Sequence, residues 1–142
     1  MTIEEEYEQT KIIELKNAKK AYEFAKLNIE GSNFYALENI VIGSQQPTLI
    51  IKFARDVKNA NILKLEREII KLTNPVLAYI FAREVKGARI GPLEDIVARS
   101  KSPYICLLFA KDIKGADKKR LLEVVKNRDK KVQKQNDEEI SL

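Results

Sequence analysis

The sequence has no histidine, no tryptophan and only one cysteine among its 142 residues. One cysteine excludes a disulfide framework and a cysteine-rich zinc module, and without histidine the commonest metal ligand and the commonest general base are missing. We therefore expect no catalytic site, no metal and no cofactor. A chain of this length is expected to form a single domain.

Long apolar runs are also missing. No stretch approaches the roughly 18 consecutive apolar residues that indicate a membrane span. Residues 1–6 (MTIEEE) are acidic where a secretory signal would be basic. The sequence therefore predicts a cytoplasmic protein with no membrane partner.

Charge is distributed unevenly along the chain. The net charge is +5, from 26 lysines and arginines against 21 aspartates and glutamates. Residues 1–15 carry five glutamates and one lysine, whereas residues 101–128 carry eight basic and three acidic side chains. A basic segment of this kind indicates an anionic partner.

A repeat with a step of 28 residues organises the sequence. Residues 53–60 read FARDVKNA, residues 81–88 read FAREVKGA and residues 109–116 read FAKDIKGA, and the prolines at 47, 75 and 103 keep the same step. A fourth, degenerate copy contains Phe24, and we place its one extra residue in the turn at residues 27–29. Repeats of this length are typical of stacked architectures.

Each repeat is predicted to form two short helices. The first begins at the repeated proline, after Asn74 or Ser102 as a capping residue, with Gln46 as a weaker version. Its predicted end is a residue that tolerates a left-handed backbone, namely Gly31, Asn59, Gly87 or Gly115. The second helix begins near a capping residue, namely Asn33, Asn61 or Asp117, and Arg89 breaks this pattern.

Apolar side chains recur at helical spacing in both helices, so each pair of helices must bury its apolar stripe against the next pair. The inward stripe is predicted to contain Phe24, Phe53, Phe81, Phe109 and Cys106. One further repeat position holds Glu38, Glu66 and Glu94, which we interpret as a recurring surface position. The expected fold is all-α, an α-solenoid of about four two-helix repeats, similar to HEAT or tetratricopeptide arrays.

Five boundaries follow from this register. Residues 1–15 are predicted to form an N-terminal capping helix, with a Thr2/Glu5 capping box and an inward face of Ile3, Tyr7 and either Ile12 or Ile13. The four repeats are assigned to residues 16–44, 45–72, 73–100 and 101–128. Residues 129–142 are predicted to be a polar, disordered tail.

The motif Phe-Ala-[Arg/Lys]-[Asp/Glu]-[Val/Ile]-Lys-Gly-Ala, at residues 81–88 and 109–116, resembles short degenerate helical repeats of uncharacterised bacterial and phage proteins. The resemblance covers residues 18–127 and implies the architecture alone. It transfers no catalytic or binding residue. The period is shorter than that of tetratricopeptide, Pumilio-type or HEAT repeats, so no code for reading RNA bases is inferred.

Basic residues supply the candidate binding surface. One column is formed by Lys26, Arg55, Arg83 and Lys111 and continues three residues later in Lys58, Lys86 and Lys114. A denser group at the last repeat is formed by Lys118, Lys119 and Arg120 together with Lys101, Lys126, Arg128, Lys130 and Lys131. A row of cations suits a phosphate backbone. The alternative is a structural ladder, because Asp56, Glu84 and Asp112 follow the column and could pair with the arginine of the neighbouring repeat. For the second group the alternative is a solvated outer face.

The expected function is non-enzymatic binding of another protein or protein complex. An extended helical surface without deep pockets suits a protein partner better than a small ligand. If the chain comes from a mobile element, an adaptor or inhibitor acting on a host complex would fit its size. Nucleic-acid binding through the basic residues is the alternative.

Overall fold

A computed structural model describes the backbone of residues 1–140 and the side chains of residues 1–128, 134 and 135. Within these residues the only regular secondary structure is α-helix, which confirms the predicted all-α class. The helices are α1 (Ile3–Leu15), α2 (Ala18–Lys26), α3 (Phe34–Gly43), α4 (Pro47–Asp56), α5 (Ile62–Lys71), α6 (Pro75–Glu84), α7 (Ile90–Ser100), α8 (Pro103–Asp112) and α9 (Lys118–Ile140).

The chain divides into two compact units. The first consists of Met1–Lys71 and Glu84–Ala88, and the second of Leu72–Arg83 and Arg89–Leu142. In the first unit α2 packs against α3 and α4, and α1 packs against α2 and α3. In the second unit α9 packs against α7 and α8.

The predicted tail at residues 129–142 falls on the last part of α9, where most side chains lie outside the described residues, and on two residues that are outside them entirely. Its disorder stays a prediction.

The helix starts follow local chemistry. Pro47, Pro75 and Pro103 are the first residues of α4, α6 and α8, where a missing amide hydrogen breaks no helical bond. Oδ1 of Asn74 accepts hydrogen bonds from the amides of residues 76 and 77 at 2.9 and 3.1 Å, so the predicted cap is confirmed. The predicted cap at Ser102 is wrong, because its side chain makes no capping bond and α8 begins on the proline alone.

The second helices also begin where predicted. Oδ1 of Asn33, Asn61 and Asp117 accepts a hydrogen bond from the amide three residues on, at 3.1, 3.2 and 3.1 Å. Arg89 precedes α7 without a side-chain cap, which confirms that this repeat lacks the capping residue.

The predicted helix ends at Asn59, Gly87 and Gly115 are wrong by three residues. α4 and α8 end at Asp56 and Asp112 because the next residues, Val57 and Ile113, take an extended backbone. Each of these two side chains is only 4% exposed, so burial of the branched side chain decides where the helix stops. The glycines lie in the following turn, where Gly87 and Gly115 have φ of 91°.

The predicted core is confirmed. The phenylalanines at 53, 81 and 109 are fully buried and Phe24 is 2% exposed. Cys106 is also fully buried, and burial raises the pKa of its thiol. The four phenylalanines that the sequence pattern aligns are therefore all part of the core.

Helix α1 departs from its predicted packing. The capping box is present, with the Glu5 amide donating to Thr2 Oγ1 at 3.1 Å and the Thr2 amide to Glu5 Oε1 at 2.8 Å. The prediction that Ile3 and Tyr7 face inward is wrong, since they are 85% and 70% exposed. The buried face of α1 consists of Gln9 and Ile12.

The interpretation of Glu38, Glu66 and Glu94 as surface residues is also wrong. Their exposures are 4%, 0% and 5%. Glu38 Oε2 accepts a hydrogen bond from the Asn61 amide at 2.8 Å, and Glu94 Oε1 accepts one from the Asp117 amide at 2.6 Å. The carboxylates of Glu38 and Glu94 therefore bind the backbone at the start of a later helix. Burial raises the pKa of Glu38.

Helix α1 makes a contact that also occurs later in the chain, although its sequence does not carry the repeat motif. Gln9 Oε1 accepts a hydrogen bond from the Asn33 amide at 2.7 Å, which is the contact that Glu38 makes with Asn61. Residues with a left-handed backbone also recur at equivalent repeat positions, namely Lys16, Gln45, Thr73 and Lys101. Helix α1 is therefore equivalent to the second helix of a repeat.

Replacing Glu38 with leucine is expected to lower the free energy of unfolding by about 2–3 kcal/mol, because the Asn61 amide loses its acceptor. Glu38→Gln keeps an acceptor and is expected to cost about 1 kcal/mol or less. Urea denaturation followed by circular dichroism measures both. Equal losses in the two variants would show that the hydrogen bond is not what the carboxylate contributes.

Thr73→Gly is expected to raise the free energy of unfolding by about 0.5–1 kcal/mol, because threonine has φ of 49° and glycine adopts this conformation without strain. Thermal denaturation would detect the change. The matched variant Thr48→Gly, inside α4, should destabilise the chain by about 1 kcal/mol. A loss of stability in Thr73→Gly would contradict the argument from backbone strain.

Candidate basic binding surface

The predicted basic residues lie at helix ends and in turns. In the first unit, Arg55 is near the end of α4, and Lys58 and Lys86 lie in turns. The second unit contains the remaining ones, at the ends of α6 and α8, in the turn that follows α8, and in the first turn of α9: Arg83, Lys111, Lys114, Lys118, Lys119 and Arg120.

Arg55 forms ion pairs within its own unit. Its Nε lies 2.8 Å from Asp56 Oδ1, and its Nη1 lies 3.3 Å from Glu84 Oε2. Tyr22 donates a hydrogen bond from its hydroxyl to the same aspartate. The Arg55 guanidinium lowers the pKa of Asp56 to about 2, with a smaller contribution from Tyr22. Arg55 therefore pairs with a carboxylate of the neighbouring repeat, as the structural-ladder alternative predicted.

The second unit repeats part of this arrangement. Tyr79 donates a hydrogen bond from its hydroxyl to Asp112, which raises the pKa of the tyrosine. Arg83 places its guanidinium 5.1 Å from the Tyr79 ring centroid, and its Nη1 donates to the hydroxyl at 3.4 Å. Tyr22 and Tyr79 both lie two residues before a core phenylalanine, a register that sequence comparison of the repeats could have found.

Arg120 is also part of the fold. Its Nη1 lies 2.7 Å from Asp95 Oδ1 and 3.2 Å from Glu94 Oε2. Lys64, at the equivalent position two repeats earlier, has its Nζ 3.8 Å from Glu38 Oε1. A cation beside the buried carboxylate offsets part of the cost of removing that charge from water.

The predicted surface lysines differ from Arg55 and Arg120 in their ion pairing. Six of them are exposed, and within the described part of the chain no ion pair joins them to a carboxylate: Lys58, Lys86, Lys111, Lys114, Lys118 and Lys119. Lys118 and Lys119 lie in the first turn of α9, where the helix dipole disfavours a positive charge. Folding alone therefore does not account for these charges.

Large apolar side chains are exposed in the second unit. Tyr104 and Val76 occupy one repeat position, directly after the prolines that begin α8 and α6, and are 69% and 46% exposed. Among the described residues, both side chains therefore lie largely in solvent.

Cavities in the described structure are open to solvent. The one beside the basic C-terminal helix has a volume of 260 Å³ and is lined by Ala98, Lys101, Val124, Asn127 and Arg128. Among the described side chains no cluster of three histidine, cysteine, aspartate or glutamate residues could hold a metal. No described helix is both long enough and apolar enough to cross a membrane.

Acid is expected to weaken the Arg55 and Asp56 contact. Because the folded-state pKa of Asp56 is lowered to about 2, its contribution is present above the ordinary aspartate pKa and is lost as pH falls toward 2. Asp56→Asn should be less stable than the wild type by about 1–2 kcal/mol at neutral pH, and the difference should vanish near pH 2.

Urea denaturation across this pH range measures the effect. Glu23→Gln, which changes an exposed carboxylate on α2, serves as the control and should follow the wild type at every pH. A difference for Asp56→Asn that does not depend on pH would contradict the assignment.

Comparison with known proteins identifies no relative. No protein-family model, no curated protein and no solved structure matches the chain. The conclusions about function therefore depend on the residues and contacts described above.

Proposed function

We propose that this chain is a non-enzymatic protein-binding module, built as an α-solenoid of four two-helix repeats with an N-terminal capping helix. Its exposed lysines would contact acidic groups of a partner protein, in an adaptor or inhibitor of a protein complex. A cytoplasmic location and an origin in the short helical repeats of bacteria or phages belong to the same proposal.

The repeated contacts support the proposed architecture. Glu38 binds the backbone amide 23 residues later in the first unit, and Glu94 does the same in the second. Tyr22 and Tyr79 likewise bond to an aspartate in a later helix of their own unit. A chain whose repeats contact their neighbours through equivalent positions is expected to stack in one dimension.

One observation carries the proposed binding role. The arginines and the lysines of the predicted surface have different partners: Arg55 and Arg120 are paired with carboxylates, whereas the six exposed lysines are not paired within the described residues. Lys118 and Lys119 also oppose the dipole of α9, which costs about 0.3–1 kcal/mol for each charge. Charges retained at such a cost are consistent with a role in binding.

The exposed apolar residues favour a protein over a nucleic acid. Tyr104 and Val76 add aromatic and aliphatic surface to the unit that contains most of the lysines. Protein interfaces are enriched in tyrosine and bury apolar side chains at their centres. The second candidate is nucleic-acid binding, and the step of 28 residues between Lys58, Lys86 and Lys114 favours it.

A charge-reversal variant tests the proposal. Lys114→Glu combined with Lys118→Glu should reduce recovery of the partner protein from the source cell at least tenfold, and recovery by the wild type should survive nuclease treatment. Lys19→Glu combined with Lys52→Glu changes two other exposed lysines and should bind as the wild type does. Equal recovery by both double variants would overturn the proposal.

Measuring the stability of a single variant separates a binding role of these lysines from a folding role. Because Lys118 lies in the first turn of α9, Lys118→Glu should raise the free energy of unfolding by about 0.5–1 kcal/mol while it weakens binding.

Fluorescence anisotropy with single-stranded and duplex nucleic acid at about 50 and 200 mM salt tests the second candidate, nucleic-acid binding. Tight binding that weakens steeply with salt would favour nucleic acid over protein.

A further inference from the structure

The last hairpin, α8 and α9, exposes two leucines at positions that are buried in earlier repeats. Leu107 is 45% exposed, whereas the equivalent Ile51 and Tyr79 are 3% and 6% exposed. Leu122 is 43% exposed, and its equivalents are the glutamates at 38, 66 and 94, which are buried. Leu122 is therefore apolar at the position where Glu38 and Glu94 hold the carboxylate that binds a later helix.

This surface, which we call the end face, is therefore a contact face without a described partner. The Tyr79 position bonds to Asp112, and the Glu94 position bonds to the backbone of residue 117, so both positions point toward a later helix within their unit. Leu107 lies on α8 and Leu122 on α9, and among the described residues no helix follows α9 to cover these two side chains. Exposed basic side chains accompany them, with Lys111 and Lys126 each four residues on along the same helix.

Helix α1 has the complementary character. Ile3, Tyr7 and Leu15 are 85%, 70% and 68% exposed, so this helix presents to solvent a stripe of apolar side chains that Lys11 interrupts. A groove of 270 Å³ runs beside it, and its lining includes Tyr7, Leu15 and Glu8 together with Lys11 and Lys20. The stripe lies among glutamates, and residues 1–15 carry five of them against one lysine.

We propose that the end face of one copy binds α1 of a second copy. Apolar side chains would meet apolar side chains, and the glutamates of α1 would lie opposite Lys111 and Lys126. The two surfaces differ, so the contact is heterologous and each copy uses α1 for one neighbour and the end face for another. The contact shares Lys111 with the proposed partner surface, whereas Leu122 and α1 lie outside that surface, so substitutions at Leu122 and on α1 test the self-association separately from partner binding.

Two blocked variants test the contact. Leu122→Asp places a charge in the end face, and Tyr7→Asp places one in the α1 stripe. Because both residues are exposed, the substitutions should have little effect on folding, which circular dichroism would verify. The wild type should sediment as concentration-dependent oligomers, and each variant alone should be a monomer. Mixed in equal amounts, the two variants should form a 1:1 dimer, because each retains one intact surface.

Leu63→Asp is the matched control, since Leu63 is 41% exposed on α5, and it should associate as the wild type does. A second pair of variants reverses one charge on each surface: Lys126→Glu should weaken association at least tenfold, and mixing it with Glu8→Lys should restore the concentration-dependent oligomers, because the native charges meet at one contact and the reversed charges at the other. A monomeric wild type, or a mixture of Leu122→Asp and Tyr7→Asp that stays monomeric while the wild type associates, would overturn the proposal.

Discussion

Buried glutamates that bind the backbone of a later helix are the contact on which the packing depends. An ionised carboxylate removed from water costs several kcal/mol unless it is paired and hydrogen-bonded. Glu38 and Glu94 meet this condition at the amide of an N-cap residue, where the helix dipole also favours negative charge. Lys64 and Arg120 then place a cation beside each carboxylate.

A second set of contacts explains which basic residues the fold uses. Asp56 and Asp112 each accept a hydrogen bond from a tyrosine, and Glu84 stands at the same repeat position and reaches Arg55 instead. The arginines thereby become part of the packing between helices. The lysines at the following turns keep their charges in solvent, which is why the proposed binding role rests on them.

Features that depend on a few neighbouring residues could be predicted from the sequence. The prolines that begin α4, α6 and α8 and the asparagine cap at residue 74 follow from backbone chemistry within one turn. The core phenylalanines follow from apolar spacing. The helix ends at Asp56 and Asp112 could not be predicted in this way, because burial of the next side chain, which is a tertiary contact, overrides the glycine signal.

The same distinction applies to the candidate surface. By itself, the sequence determined the step of 28 residues, the helical class and the positions of the basic side chains, because these are properties of residue order and local hydrogen bonding. Only the tertiary structure decided that Glu38, Glu66 and Glu94 are buried, and that Arg55 and Arg120 are paired while the six predicted surface lysines have no ion pair among the described residues. The physical reason is that a charge is stabilised by groups distant in sequence, and residue type alone does not show whether those groups are close enough to bind it.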